Sequence, residues 1–211
     1  MAHIPDGIAS TDMLTLGAVG SAMAIGYGLK KMDVDQIPQT AMLAAVFFIS
    51  SMITFPVGPS SVHLLFNGLM GLMLGWSAIP AIFIALLLQL LFFGYGGLLV
   101  LGLNTFNMAI PAIIVAITLR PLLLQQLAKP EGISKRAASA IGATAGAIGI
   151  GLTTSLLTLS LAISGEEFIP MVKVILATNV PLLLIESVVT ASIVGFLVKA
   201  SPNTFSASMS S

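Results

Sequence analysis

The chain of 211 residues is 57% hydrophobic and only 8% charged, with a mean hydropathy of +1.07. Soluble domains carry roughly a quarter charged residues, so this composition excludes one and reads as an integral membrane protein. Zero net charge argues against a nucleic-acid partner, and the absence of cysteine excludes disulfides, thiolate metal sites and a cysteine nucleophile.

The chain opens on a polar, turn-forming heptapeptide, Met1-Ala2-His3-Ile4-Pro5-Asp6-Gly7. No positively charged leader precedes the apolar part, so it does not read as a secretory signal. If Met1 is removed, the Ala2 amine, the His3 backbone nitrogen and the His3 ring can close a five- and a six-membered ring on one metal ion. Nitrogen ligands of this kind favour Ni(II) or Cu(II), with Co(II) also accommodated. His63 is the one other histidine that can complete the site. Pro5 and Gly7 supply a turn that sends the arm back toward the protein. Alone, the heptapeptide favours an incidental histidine on a disordered end; the rest of the chain reverses that reading.

Seven apolar runs follow, at 13–29, 40–55, 62–75, 77–93, 103–127, 137–163 and 169–198. They predict an all-α helical membrane bundle of about seven spans, a single domain over 1–199 and a disordered cytoplasmic tail over 200–211. The third run is short and starts with polar residues, which makes it the weakest span. With the N-terminus outside and the C-terminus cytoplasmic, Lys30, Lys31, Arg120, Lys129, Lys135, Arg136 and Lys199 lie at or near the cytoplasm, and Lys173 alone falls outside. That orientation puts His3 and the 56–62 loop together on the external face.

In the first helix, small residues recur at four-residue spacing: Gly17/Ser21, Gly20/Ala24, Ala18/Ala22/Gly26 and Ala24/Gly28. Such rows admit a closely packed helix, from this chain or from another protein. Ala137 to Gly151 has the same character. Asp12, just ahead of an apolar run, reads as a cap, and Asp6 as a support for the arm.

Pro56, Gly58 and Pro59 break the second helix, and Ser60 or Ser61 is a candidate cap for the third. His63 then sits in its first turn, with Asn67 four residues on along the same face, able to orient the ring or close the pocket. A helix-packing histidine is the competing reading, but His and Asn at membrane depth point to function. Asn104 and Asn107, after the glycine-rich stretch around Gly94, Gly96 and Gly97, line one face as donors able to hold the arm, or serve as caps and packing groups. Glu186, with Asn179 seven residues earlier, suggests a polar seam in the last helix that does not extend to the outer site. Met70 and Met73 have helical spacing; they read as core filler or, alternatively, as a thioether path for Cu(I).

With His3-Ile4-Pro5-Asp6-Gly7, the loop leading to Val62-His63-Leu64, Gly96-Gly97-Leu98 and Asn104-Thr105-Phe106-Asn107-Met108, the chain resembles the CbiM/NikM family from residue 3 to about 199. Those are the substrate-binding membrane subunits of energy-coupling-factor importers for cobalt and nickel, in prokaryotic plasma membranes. The resemblance implies a seven-helix fold and metal ligation by the Ala2 amine, His3 twice and His63. The family usually begins Met-His, so Ala2 is a departure; with Met1 retained, four nitrogens without His63 would fill the plane. The resemblance further implies a transmembrane coupling protein, two cytoplasmic ATPase subunits and a small accessory membrane subunit as partners. No catalytic or cofactor-binding residue is implied, and Co2+ or Ni2+ is substrate. Gly17, Gly20, Ser21, Ala24 and Gly28 are then candidates for touching the coupling protein. A methionine-based copper permease and an intramembrane hydrolase using His63 and Asn67 are the rival readings; the latter lacks a second base and a Gly-x-Ser-Gly stretch.

Overall fold

Residues 3–57 and 60–205 are described by the computed structural model. Helix α1 (Thr11–Lys30) begins where the Ser10 hydroxyl accepts the Met13 N–H, so Ser10 is its cap. Asp12, the expected cap, lies in the first turn, where its charge suits the positive end of the helix dipole. A 3₁₀ turn (Val34–Gln36) leads into α2 (Ile37–Ser50), with Pro38 at its start.

The chain then departs from the helical expectation. Thr54–Val57 (β1) and Ser60–His63 (β2) form an antiparallel hairpin that pairs Thr54 with His63 and Phe55 with Val62. The fold is therefore not purely α. Pro56 lacks the N–H that helix continuation needs, whereas an edge strand tolerates it, and the β-branched Thr54 and Val62 suit a pleated pair. His63 accordingly ends a strand rather than opening a helix. Neither Ser60 nor Ser61 is the cap: α3 (Asn67–Leu74) starts after Phe66, which takes a left-handed conformation at φ 51°.

All eight residues of α3 are buried. A helix that short rises about 12 Å, less than half the hydrocarbon thickness, so 62–75 is not a span of its own. Through the turn Gly75–Ser77, α3 leads into α4 (Ala78–Phe93). The stretch Asn67–Phe93 is one of four helical stretches long and apolar enough to cross a membrane. The others are Leu101–Leu127 (α5), Lys135–Ser164 (α6) and Glu166–Ala200, which contains α7 (Ile169–Ala200); α2 with its leading turn is a shorter apolar helix. The described residues thus hold seven α-helices of unequal reach and one two-stranded hairpin.

Glycine lets α3 sit inside the bundle. A Cβ on Gly68 would collide with the Ala145 carbonyl of α6, and one on Gly71 with the Ala112 carbonyl of α5. The Gly/Ala-rich part of α6 packs on α7 through Gly142 against Thr190 and Gly146 against Glu186.

The small residues of α1 pack against helices of the same chain, one of the two neighbours their spacing allows. Gly17 abuts Leu103 of α5, Gly20 meets the Phe106 ring, and the Ser21 hydroxyl donates to the Gly102 carbonyl. Gly28 lies against the Trp76 carbonyl, and Ala24 packs onto the central core. The outward face of α1 carries Leu16, Val19 and Met23 instead. At the far end, the tail expected to be disordered from residue 200 is folded as far as Phe205: Pro202–Phe205 form a 3₁₀ turn and the Phe205 side chain is fully buried. Positions 206–211 lie outside the described residues.

Candidate metal site

Residues 3–10 lie along the bundle as an arm pinned at three points. The Asn104 side chain clamps Ile4 with two hydrogen bonds, its Oδ1 accepting the Ile4 N–H and its Nδ2 donating to the Ile4 carbonyl, each at 3.0 Å. The Asp6 carboxylate accepts the Val100 N–H at 3.1 Å, and the Ser10 N–H donates to the Ser164 hydroxyl. Ile4 itself is buried against Val100, Leu103 and Leu157. Gly96 and Gly97 make the approach achievable: a Cβ on Gly97 would strike the Asp6 carboxylate, and one on Gly96 would come to 2.9 Å from Asn104 Nδ2.

This pinning brings His3 to His63. Their ring centroids are 5.4 Å apart with planes inclined at 24°, and both residues are buried. Two imidazoles bound to one ion, at about 2 Å per nitrogen, have centroids at most roughly 6 Å apart, so the spacing suits a shared ion. His63 Nδ1 lies 3.1 Å from the Leu64 carbonyl, a contact that makes Nδ1–H the donor and leaves Nε2 with a free lone pair. Nε2 of His63 and Nε2 of His3 are both buried and lack a hydrogen-bond partner among the described residues. Buried polar atoms without partners are costly, and here they belong to the two side chains of the protein best suited to a transition metal.

Burial, followed by the nearby His63, lowers the His3 pKa from its ordinary value of 6.5 to about 3. Burial also lowers that of His63, opposed by its contact with the Leu64 carbonyl. Both rings are therefore neutral at neutral pH, the form that ligates metal. Among the described residues no group of three histidine, cysteine or acidic side chains gathers around one point, so two rings are what the described part of the site supplies. Ala2, expected as the amine ligand, lies outside the described residues.

Residues 3–204 match the family described as "CbiM: Cobalt uptake substrate-specific transmembrane region". The chain belongs to the CbiM family. A "Putative metal transport protein" of Haemophilus influenzae is 36% identical over 201 residues, covering 95% of each chain. A "Cobalt transport protein CbiM" of Kyrpidia tusciae is 31% identical, over 80% of this chain and 69% of that one. A "Fused nickel transport protein NikMN" of Rhodobacter capsulatus is 35% identical over 120 residues, covering 54% of this chain and 35% of that longer protein. A solved structure described as a truncated transition metal transporter superposes with a TM-score of 0.70 at 25% identity, over 93% of this chain and 96% of that one. This CbiM-family chain is accordingly a multi-pass membrane component of cobalt/nickel transport, and its relatives are transport proteins rather than enzymes.

Of the amides expected around the site of this CbiM-family protein, Asn104 alone touches the arm. Asn107 donates to the Ser160 hydroxyl of α6. Asn67 does not orient the His63 ring; it is fully buried and donates to the Met108 and Gly149 carbonyls and to the Thr153 hydroxyl, tying α3 to α5 and α6. With the helix starting at Asn67 itself, the assumed shared face with His63 does not exist. The hydrolase reading loses its His–Asn pair in the same way. Met70 and Met73 are buried in the central core, as filler is.

One contributor went unrecognised in the sequence, and another was placed away from the site. Tyr95 stands 5.9 Å from the His3 ring and 6.4 Å from the His63 ring, held between the left-handed Gly94 and Gly96. Only its place between two glycines hinted at this. Glu186, expected to be remote, reaches the site's scaffold: its carboxylate accepts the N–H groups of Leu65 and Phe66, just after His63. The Asn179–Glu186 seam is not continuous, since Asn179 donates instead to Thr154 of α6.

Proposed function

We propose that this protein captures a Co2+ or Ni2+ ion from outside the cell through the Ala2 amine, the backbone and ring nitrogens of His3, and the ring of His63. The observation that carries the reading is the pair of buried, neutral imidazoles, each with an unpartnered Nε2, where the N-terminal arm meets the β1–β2 hairpin. The names of the relatives from Kyrpidia tusciae and Rhodobacter capsulatus support cobalt and nickel as the ions. Asn104 and Asp6 hold the arm, the hairpin holds His63, and Tyr95 covers the rings from the glycine-rich loop. In this reading the arm lies outside and the C-terminus in the cytoplasm, as the distribution of Lys and Arg favours.

The chain serves as the capture subunit of an ATP-driven energy-coupling-factor importer, working with a transmembrane coupling protein, two cytoplasmic ATPase subunits and a small accessory membrane subunit. Support comes from the family match and from the fused NikMN relative, whose name joins an M-type to an N-type component in one chain. Two tests separate capture from transport. Equilibrium dialysis of the purified chain with Ni2+ and Co2+ is expected to give one ion per chain, lost in His3→Ala and weakened in His63→Ala. Cellular Co2+ uptake is expected to require co-expressed coupling and ATPase subunits; uptake at full rate by this chain alone would contradict the importer assignment.

A further inference from the structure

At the other end of the bundle lies a second polar cavity that metal capture does not use. It has a volume of about 280 Å³ and is lined by Tyr27 and Lys31 at the end of α1, Gln36, the turn Gly75–Ser77, and Arg120 of α5. That volume is just under the roughly 300 Å³ at which small-ligand pockets begin. At 1.5 Å per residue, α1 alone separates Lys31 from the arm by about 30 Å, so this is not an extension of the histidine site.

The chemistry of its lining is one-sided. Two cationic side chains and three neutral polar ones, Gln36, Ser77 and Tyr27, face the cavity, with no carboxylate among the lining residues. Gln36 and Ser77 hydrogen-bond each other at 2.8 Å, which fixes the wall between them. Arg120 makes a single long hydrogen bond among the described residues, from Nη2 to the Phe205 carbonyl at 3.4 Å, and its Nε is buried with no partner. A half-buried guanidinium whose Nε is shut off from water is stabilised by an anion or further acceptors that offset its desolvation. One carbonyl is not enough. Gly75, at φ 59°, keeps the space in front of the guanidinium open, since a Cβ there would come to 3.3 Å from Nη1. Tyr27 and Trp76 pack edge-to-face at 4.8 Å beside the cations, the amphipathic aromatic pairing that sits at headgroup level in membrane proteins.

We propose that this cavity binds a phosphate group presented by an anionic phospholipid headgroup, with Arg120 and Lys31 as the two cationic ligands. The guanidinium offers a fork of N–H donors to the phosphate oxygens and Lys31 adds a second charge from the rim. Basic pockets between helices on one side of a membrane protein are suited to such headgroups.

The test is native mass spectrometry of the full chain after delipidation in neutral detergent, with phosphatidylglycerol, phosphatidylcholine or inorganic phosphate added back. Phosphatidylglycerol is expected to be retained over phosphatidylcholine, and Arg120→Gln or Lys31→Gln each to reduce that retention roughly fivefold. Lys31 is exposed, so Lys31→Gln reports even if Arg120→Gln fails to fold. Inorganic phosphate that competes with the lipid supports the phosphate chemistry; saturating binding of free phosphate with no lipid preference would overturn the lipid source. Equal retention of both lipids, or retention unchanged in Lys31→Gln with phosphate inert, overturns the proposal.

Discussion

The Glu186 carboxylate of α7 accepts the backbone N–H of Leu65 at 3.1 Å, two residues beyond His63, and also accepts the N–H of Phe66. These two bonds hold the residues immediately before α3 and fix the turn that joins the His63 strand to that helix. Replacing Glu186 with Ala orphans two buried amides at roughly 1–3 kcal/mol each. The expected result is a lower melting temperature in detergent together with weaker metal binding, although Glu186 touches neither ring. Unchanged metal affinity in a folded Glu186→Ala chain would detach α7 from the site.

Asn104 and Asn107 lie three residues apart but do different work. Asn104→Ala removes both hydrogen bonds to Ile4 and is expected to weaken metal affinity about 10- to 100-fold, the usual range for groups that hold a ligand in place. Asn107→Ala loses a contact to Ser160 and is expected to leave metal affinity within about threefold of wild type, with a modest loss of stability. Isothermal titration with Ni2+ on both variants distinguishes these outcomes; equal losses would count against the arm clamp.

The lowered His3 pKa sets a pH dependence for the metal-free arm. A detached arm binds a proton near pH 6.5, whereas the docked ring does so only near pH 3. Docking is therefore fully favourable above pH 6.5 and weakens as pH falls from 6.5 toward 3, by up to about tenfold per pH unit. Hydrogen exchange at Ile4, corrected for intrinsic rate, is expected to accelerate over that window. A flat profile between pH 7 and 4 would mean that His3 is not buried in the docked state.

The small-residue face of α1 can be tested without any partner. Gly17→Ala places a Cβ against the backbone of Leu103, whereas Gly26→Ala meets nothing within 4 Å. The first is expected to destabilise the isolated chain by about 1–3 kcal/mol, and the second to be neutral or stabilising by roughly 0.5–1 kcal/mol. Thermal melts of the purified variants read this directly. Equal behaviour would return Gly17 to the list of partner contacts.

What the sequence conveyed depended on whether a residue's partner had a sequence signature. The arm did, because His3, Pro5, Asp6 and Gly7 combine a ligand with turn chemistry, and Asn104 lies in an apolar run where amides stand out. The hairpin did not: Pro56 and Pro59 read as a helix break, and nothing marked Phe66 as the left-handed residue that delays α3 until Asn67. That shift alone removed Asn67 from the ring of His63. Glu186 stood out in the sequence, but its tie to the site did not, for another reason. Its partners are backbone amides, which every residue but proline possesses. The glycines of α1 announced close packing but not the identity of the neighbour, which proved to be α5 of the same chain.

The central claim is that a freed α-amine and the rings of His3 and His63 meet on one ion. Native mass spectrometry of the Ni2+-loaded protein, run beside a variant carrying extra residues ahead of Ala2, tests it most directly. The account predicts a chain lacking Met1 with one Ni2+ bound, and loss of that ion in the extended variant. One ion held equally tightly by the extended chain would contradict it.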